Sequence, residues 1–167
     1  MPITLAHFEP ARLDWHAHAA RAAHAAVAPP QPGPATGDSG FLALQAAYRG
    51  DGGIARGEDV AVLLSGCGGC GYVDLARSIV AGALFSFHWH ETFWLPMFQF
   101  DPATMALREA PRRVLDELRG VFDGWDIAHW YVRANDALAG RRPIHLLETE
   151  LPAVLTAARA DRYAIDA

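Results

Sequence analysis

Two cysteines and two histidines offer the most direct chemistry in this sequence. Cys67-x-x-Cys70 lies in the glycine-rich run Gly66 to Gly71, and His88-x-His90 follows after a gap of 17 residues. Thiolates and imidazoles are the ligands of tetrahedral zinc. On a strand, His88 and His90 would share one face about 6–7 Å apart, two strand rises. Both could then reach one ion if the glycine-rich loop folded over them. The plainer alternative makes the cysteines small loop residues and the histidines strand-edge residues. A redox Cys-x-x-Cys is expected at a helix start after a strand, and no βαβ pattern surrounds this one. The same loop lacks the Lys-Ser/Thr of a phosphate-binding loop. His16 and His18 stand two apart on a predicted helix and point to different sides, so they and His24 read as solvated. No Ser/His/Asp or Cys/His arrangement has motif support. The sequence is therefore read as a binding protein that is not an enzyme and carries no cofactor.

The elements that would position these residues follow from periodicity. Residues 10–28 form an Ala-rich predicted helix, and Pro29 to Gly40 a Pro/Gly linker. Phe41 to Arg49 reads as a helix with Phe41, Leu44 and Tyr48 on one side, ended by Gly50 to Gly53. Glu58 to Leu64 and Tyr72 to Ala81 read as helices, the second capped by Gly82. The period then changes to two: Phe85, Phe87 and Trp89 alternate with Ser86, His88 and His90. Glu91-Thr92 would turn the chain, and Phe93 to Phe100 would return as a second strand. Pro96 weakens that strand or puts it at an edge. Pro111 suits the start of a helix running to Leu118, closed by Gly120. Asp123 to Ala139, Pro143 to Leu147 and Pro152 to Ala160 complete the series. The fold class expected is mainly α: a small helical domain with one antiparallel hairpin near residues 84–100 and a C-terminal helical bundle.

Three pieces in fixed order carry more specific information. They are the segment Leu95-Pro96-Met97-Phe98-Gln99-Phe100-Asp101; Trp130, five residues before the run Asn135 to Ile144; and Val154-Leu155 followed by Ala157-Ala158-Arg159. Asn135 can satisfy backbone groups near a helix end, Gly140 permits the positive φ that ends a helix, and Pro143 starts the next one. Together these make a rigid helical corner. The order resembles the toxin-binding domain of Xre/MbcA/ParS-type antitoxins, which carry a Phe-Gln-Phe segment, an Asn-x-x-Leu-x-Gly-x-x-Pro element and a C-terminal helix. Ala134 stands where that family usually has Pro. The resemblance implies a module that binds a RES-type, NAD-consuming toxin and covers the entrance of its active site. The implied partner surface is Trp130, Asn135, Leu138, Gly140, Arg141, Arg142, Pro143 and Arg159. The Pro/Gly linker sets off residues 1–40 as a loosely attached arm; the resemblance implies helices plus hairpin over 41–100, similar in shape to a DNA-binding head, and a toxin-binding domain over 101–167. The helix Tyr72 to Ala81 carries Asp74 and a single Arg77, which argues against reading base edges.

Composition narrows the alternatives. Hydrophobic residues make up 51% of the 167, enough for a sizeable core. A formal charge of −5 argues against a general nucleic-acid or acidic-membrane binder. All 14 basic residues are Arg. Arg133, Arg141, Arg142, Arg159 and Arg162 fall in the last third, where interface arginines would serve a partner. Trp89, Trp94, Trp125 and Trp130 are expected in the core or an interface. His7, Glu9 and Pro10 stand where a signal peptide would be apolar, no stretch approaches a membrane span, and two cysteines are too few for a disulfide framework. A cytoplasmic location follows. Aromatics on both faces of the hairpin predict self-association, most simply as a dimer. The readings left standing are an antitoxin-like module, a zinc-binding or metal-stabilised protein using Cys67, Cys70, His88 and His90, and an orphan scaffold that lacks a toxin.

Overall fold

The fold was analysed in a computed structural model, which describes residues 37–69 and 71–166. The expected helix over 10–28 and most of the linker lie outside these residues, as does Cys70. The described chain is mainly α, with six α-helices and one three-stranded antiparallel sheet.

Helix α1 (Asp38–Tyr48) buries Phe41, Leu44 and Tyr48, spaced three and four apart on one face. The Tyr48 hydroxyl donates to the Ala128 carbonyl at 2.7 Å, which ties α1 to a helix 80 residues further on. Gly52 and Gly53, at φ 90° and 78°, turn the chain into strand β1 (Ile54–Arg56). Helices α2 (Gly57–Gly66) and α3 (Tyr72–Val80) follow. Gly82, at φ 66°, ends the second of these as expected.

Strands β2 (Phe87–Trp89) and β3 (Thr92–Pro96) form the expected hairpin, but the sheet is wider than one hairpin. Its order is β1-β3-β2, so β3 is the central strand rather than an edge. Pro96 is tolerated there because it is the last residue of β3, opposite Ile54; the ladder continues when Met97 N–H donates to the Gly53 carbonyl at 2.9 Å. A three-residue β1 is too short to show a period, so only its partner strand reveals it. The return strand also ends four residues early, in a 3-10 turn over Met97–Gln99.

The turn residues of the hairpin are His90 and Glu91, at φ 46° and 57°. His90 therefore leaves the strand before it can share a face with His88. Its Nε2 lies 3.1 Å from Asp38 Oδ1, and its ring packs edge-on against Trp89 at 3.9 Å.

Three of the hairpin aromatics pack against other parts of the chain. Phe41 stacks on Trp89 at 3.9 Å, Phe87 packs against Trp125 at 4.8 Å, and Phe85 stacks on Tyr131 at 5.7 Å. Phe85 and Phe87 are buried, whereas Trp89, Phe93 and Trp94 are half-buried.

Helices α4 (Glu109–Leu118), α5 (Gly124–Val132) and α6 (Leu151–Asp166) build the C-terminal half, with α4 and α6 packed along each other. α4 starts two residues before Pro111, and α6 runs six residues past Ala160. α5 stops seven residues short of Ala139. One apolar cluster joins Phe41, Tyr48, Phe85 and Phe98 to Val114, Leu118, Tyr131 and Val154, so it runs across position 100. A second holds Val60, Ala61, Leu75, Leu84, Leu95 and Phe100. The Phe-Gln-Phe segment links the two, with Phe98 in the first and Phe100 in the second. Between them Gln99 is the one buried polar residue of the described core. Its Oε1 accepts from Phe85 N–H at 2.9 Å, and its Nε2 donates to the carbonyls of Phe85 at 3.0 Å and Pro96 at 3.1 Å.

Candidate partner-binding site

The corner after α5 is built by Asn135. Arg133 and Asn135 take extended backbone angles, so the helix ends at Val132. The Asn135 side-chain oxygen accepts from Ala137 N–H at 2.9 Å and caps a 3-10 turn over Asp136–Leu138. Its backbone carbonyl takes Leu138 N–H at 3.0 Å and Gly140 N–H at 2.9 Å, and its own N–H reaches the Arg141 carbonyl at 3.1 Å. Ala139 and Gly140 lie at φ 55° and 74°, so two successive residues make the left-handed reversal expected of Gly140 alone. Pro143 then opens a 3-10 turn, Pro143–Leu146. Leu138, Pro143 and Ile144 are buried beneath the corner, whereas Ala137, Ala139, Gly140, Arg141 and Arg142 are exposed on it. The result is a fixed, solvent-facing knuckle on an apolar footing.

Trp130 and Asn135 share a partner that the sequence reading missed. Asp161 Oδ2 accepts from Trp130 Nε1 at 2.7 Å and from Asn135 Nδ2 at 2.8 Å. Asp161 sits on the part of α6 beyond Ala160, and 26 residues separate it from Asn135; no local pattern pairs them. These bonds lock the end of α5 to α6.

The arginines divide into two groups. Arg141 donates through Nη1 and Nη2 to the two oxygens of Glu150, the second bond at 2.8 Å, and through Nε to the Leu138 carbonyl. This fork raises the Arg141 pKa and lowers that of Glu150, in each case chiefly through the side-chain hydrogen bond. Arg159 and Arg162 both hold Glu117 on α4, at 2.8 and 3.2 Å. Arg133 and Arg142 make no ion pair among the described residues. Of the five arginines expected to serve a partner, three are thus occupied within the chain.

Along α5, Asp126, His129 and Trp130 fall on one face, three and four residues apart, and Arg133 follows just past the helix end. They border a shallow cavity of about 220 Å³ that also reaches Phe122 and Asp161. Burial pushes the His129 pKa down, and the Arg133 charge adds to this.

The three zinc candidates that the structure describes are not assembled. Among the described residues no group of three or more His, Cys, Asp or Glu side chains could hold a metal ion. Cys67, His88 and His90 are therefore not brought to one point: Cys67 is exposed after α2, and His90 is held at the hairpin turn. No helix among the described residues is long and apolar enough to cross a membrane.

No protein-family model, no curated protein and no solved structure matches the chain.

Proposed function

We propose that this chain is an antitoxin-like protein-interaction module, acting in the cytoplasm without catalytic activity of its own, that binds a RES-type toxin and blocks its active-site entrance. The observation that supports the reading is the knuckle from Asn135 to Pro143. It is held by its own backbone and by Asp161, stands on buried Leu138 and Ile144, and presents Arg142 with no internal partner among the described residues. Pre-organisation of this kind lowers the ordering cost of binding, and a free guanidinium on a rigid support suits an interface.

The test is capture of a RES-type toxin encoded beside this gene, co-expressed with a tagged copy of the chain. The wild type should pull the toxin down and suppress its NAD consumption. Arg142→Ala should weaken capture at least about tenfold, the loss expected of a 1.4 kcal/mol contact, while Arg159→Ala, whose side chain is held by Glu117, should weaken it less. Normal capture by Arg142→Ala would move the interface elsewhere. Absence of any toxin gene or partner would favour the orphan scaffold.

A further inference from the structure

The cavity between α5 and α6 has a size and charge that define an occupant. At about 220 Å³ it lies below the roughly 300–1,000 Å³ of sites for small organic ligands, and it suits one long side chain. Phe122 and the largely buried Trp130 supply apolar wall. Two of the polar groups, Asp126 and Asp161, are carboxylates. Asp161 spends Oδ2 on Trp130 and Asn135, while Oδ1 takes no hydrogen bond among the described residues. A carboxylate accepts about four hydrogen bonds, so Asp161 is held in place with capacity to spare. The carboxylate of Asp126 also takes none, and Asp126 is exposed at the cavity's edge. Against these two carboxylates stands one cation, exposed Arg133, for His129 is kept neutral near pH 7 by its burial. The lining therefore carries one net negative charge (two carboxylates, one guanidinium).

We infer that this cavity is a socket for an arginine side chain of the partner protein, whose guanidinium bonds Asp161 Oδ1 and Asp126 while its stem lies along Phe122 and Trp130. Arginine fits better than lysine because its planar fork can meet two carboxylates at once and stack on an indole. The inference rests on the reading that the Trp130–Asn135 region faces a partner. It adds what that partner must bring: a protruding arginine, where the knuckle offers Arg142 in the opposite sense.

The socket can be tested without the partner. The probe is N-acetyl-arginine methylamide, titrated into the full chain while the Trp130 indole N–H resonance is followed by NMR and assigned through Trp130→Phe. That N–H is bonded to Asp161 and senses any ligand placed there. Saturable shifts in the millimolar range are expected. Asp126→Asn should weaken binding about threefold or more, and Arg133→Gln should tighten it, since it removes the opposing charge. Neither side chain makes a hydrogen bond or ion pair within the described residues, so both variants should fold. The citrulline analogue, isosteric but neutral, should shift nothing. The socket is refuted if the resonance does not move, if citrulline acts as arginine does, or if neither variant changes the affinity. Toxin capture without arginine binding would sink the socket and leave the proposed function intact; arginine binding without toxin capture would do the reverse.

Discussion

Replacing Gln99 with Leu should be among the most damaging single changes that leave the volume of the core nearly intact. Gln99 is 3% exposed and makes three hydrogen bonds, one to Phe85 N–H and two to the carbonyls of Phe85 and Pro96. Leucine fills the space but leaves all three backbone groups without this partner, out of reach of water. An unsatisfied buried group costs about 1–3 kcal/mol. The donor pays the larger part, because each carbonyl retains a second lone pair, and a total of roughly 3–5 kcal/mol follows. That is a large fraction of the ~5–15 kcal/mol by which a domain is stable. For a fold of this size it lowers Tm by about 10–20 °C. Gln99→Glu separates hydrogen bonding from shape. A buried glutamate facing two carbonyls has its folded-state pKa raised above the unfolded value of about 4.3. Its folded form then holds a proton that the unfolded form has lost, so stability falls as pH rises above about 4.3 and through the folded-state pKa. Thermal melts of both variants at pH 5 and 7.5 check this: the Glu variant should lie nearer the wild type at pH 5, and the deficit of the Leu variant should not depend on pH. A Leu variant melting within about 3 °C of wild type, or a Glu variant equally impaired at both pH values, would refute the role assigned to Gln99.

Three further outcomes are expected. Gly124→Ala would place a Cβ 2.1 Å from the Ser86 carbonyl oxygen, a backbone atom that cannot swing aside, and should cost about 3 kcal/mol or more; Gly140→Ala meets nothing within 4 Å and should cost only the strain of its φ of 74°, about 1–2 kcal/mol. Urea titration of the two variants distinguishes them. Tyr48→Phe deletes the bond to Ala128 and should cost about 1–2 kcal/mol by the same measurement. The depressed pKa of His129 means that the unfolded chain binds the proton more tightly, so the stability tied to neutral His129 is present above about pH 6.5 and is lost as pH falls below it. His129→Gln should therefore lose less stability than wild type between pH 7 and pH 5.5, and parallel pH profiles would show that His129 is not responsible.

What the sequence disclosed was local. The amphipathic spacing of Phe41, Leu44 and Tyr48 located α1, the alternation from Phe85 to Trp89 located the hairpin, and Gly82 and Pro143 marked an end and a beginning. The errors share one cause, which is that the deciding partner was distant. β1 exists because β3 offers it a ladder, not because Ile54-Ala55-Arg56 has a period. The helix expected to run to Ala139 is cut at Val132 because the Asn135 side chain gives the backbone an alternative, and Asp161 holds it there. Likewise the five arginines looked equivalent along the chain. Only folding shows that Glu117 and Glu150 occupy three of them.

The same contacts determine which substitutions can test binding at all. The polar residues that make the resemblance recognisable, Gln99 and Asn135, spend their hydrogen bonds inside the chain: Gln99 holds the backbone of Phe85 and Pro96, and Asn135 builds the corner and ties it to α6. A domain of this shape needs both whether or not it meets a toxin. Asn135→Ala would remove a cap and a buried-side contact together, so it should lower Tm and partner capture in step, and the lost capture would say nothing about contact with the partner. Arg141→Ala is nearly as ambiguous, because its fork onto Glu150 braces the corner. Arg142, Arg133 and Asp126 are different: they are exposed, and their side chains make no hydrogen bond or ion pair among the described residues. If the knuckle and the neighbouring socket do the recognising, substitutions at these three positions should change partner capture while Tm stays within about 3 °C of wild type. If they change neither, the resemblance is one of architecture, and the corner serves the fold alone.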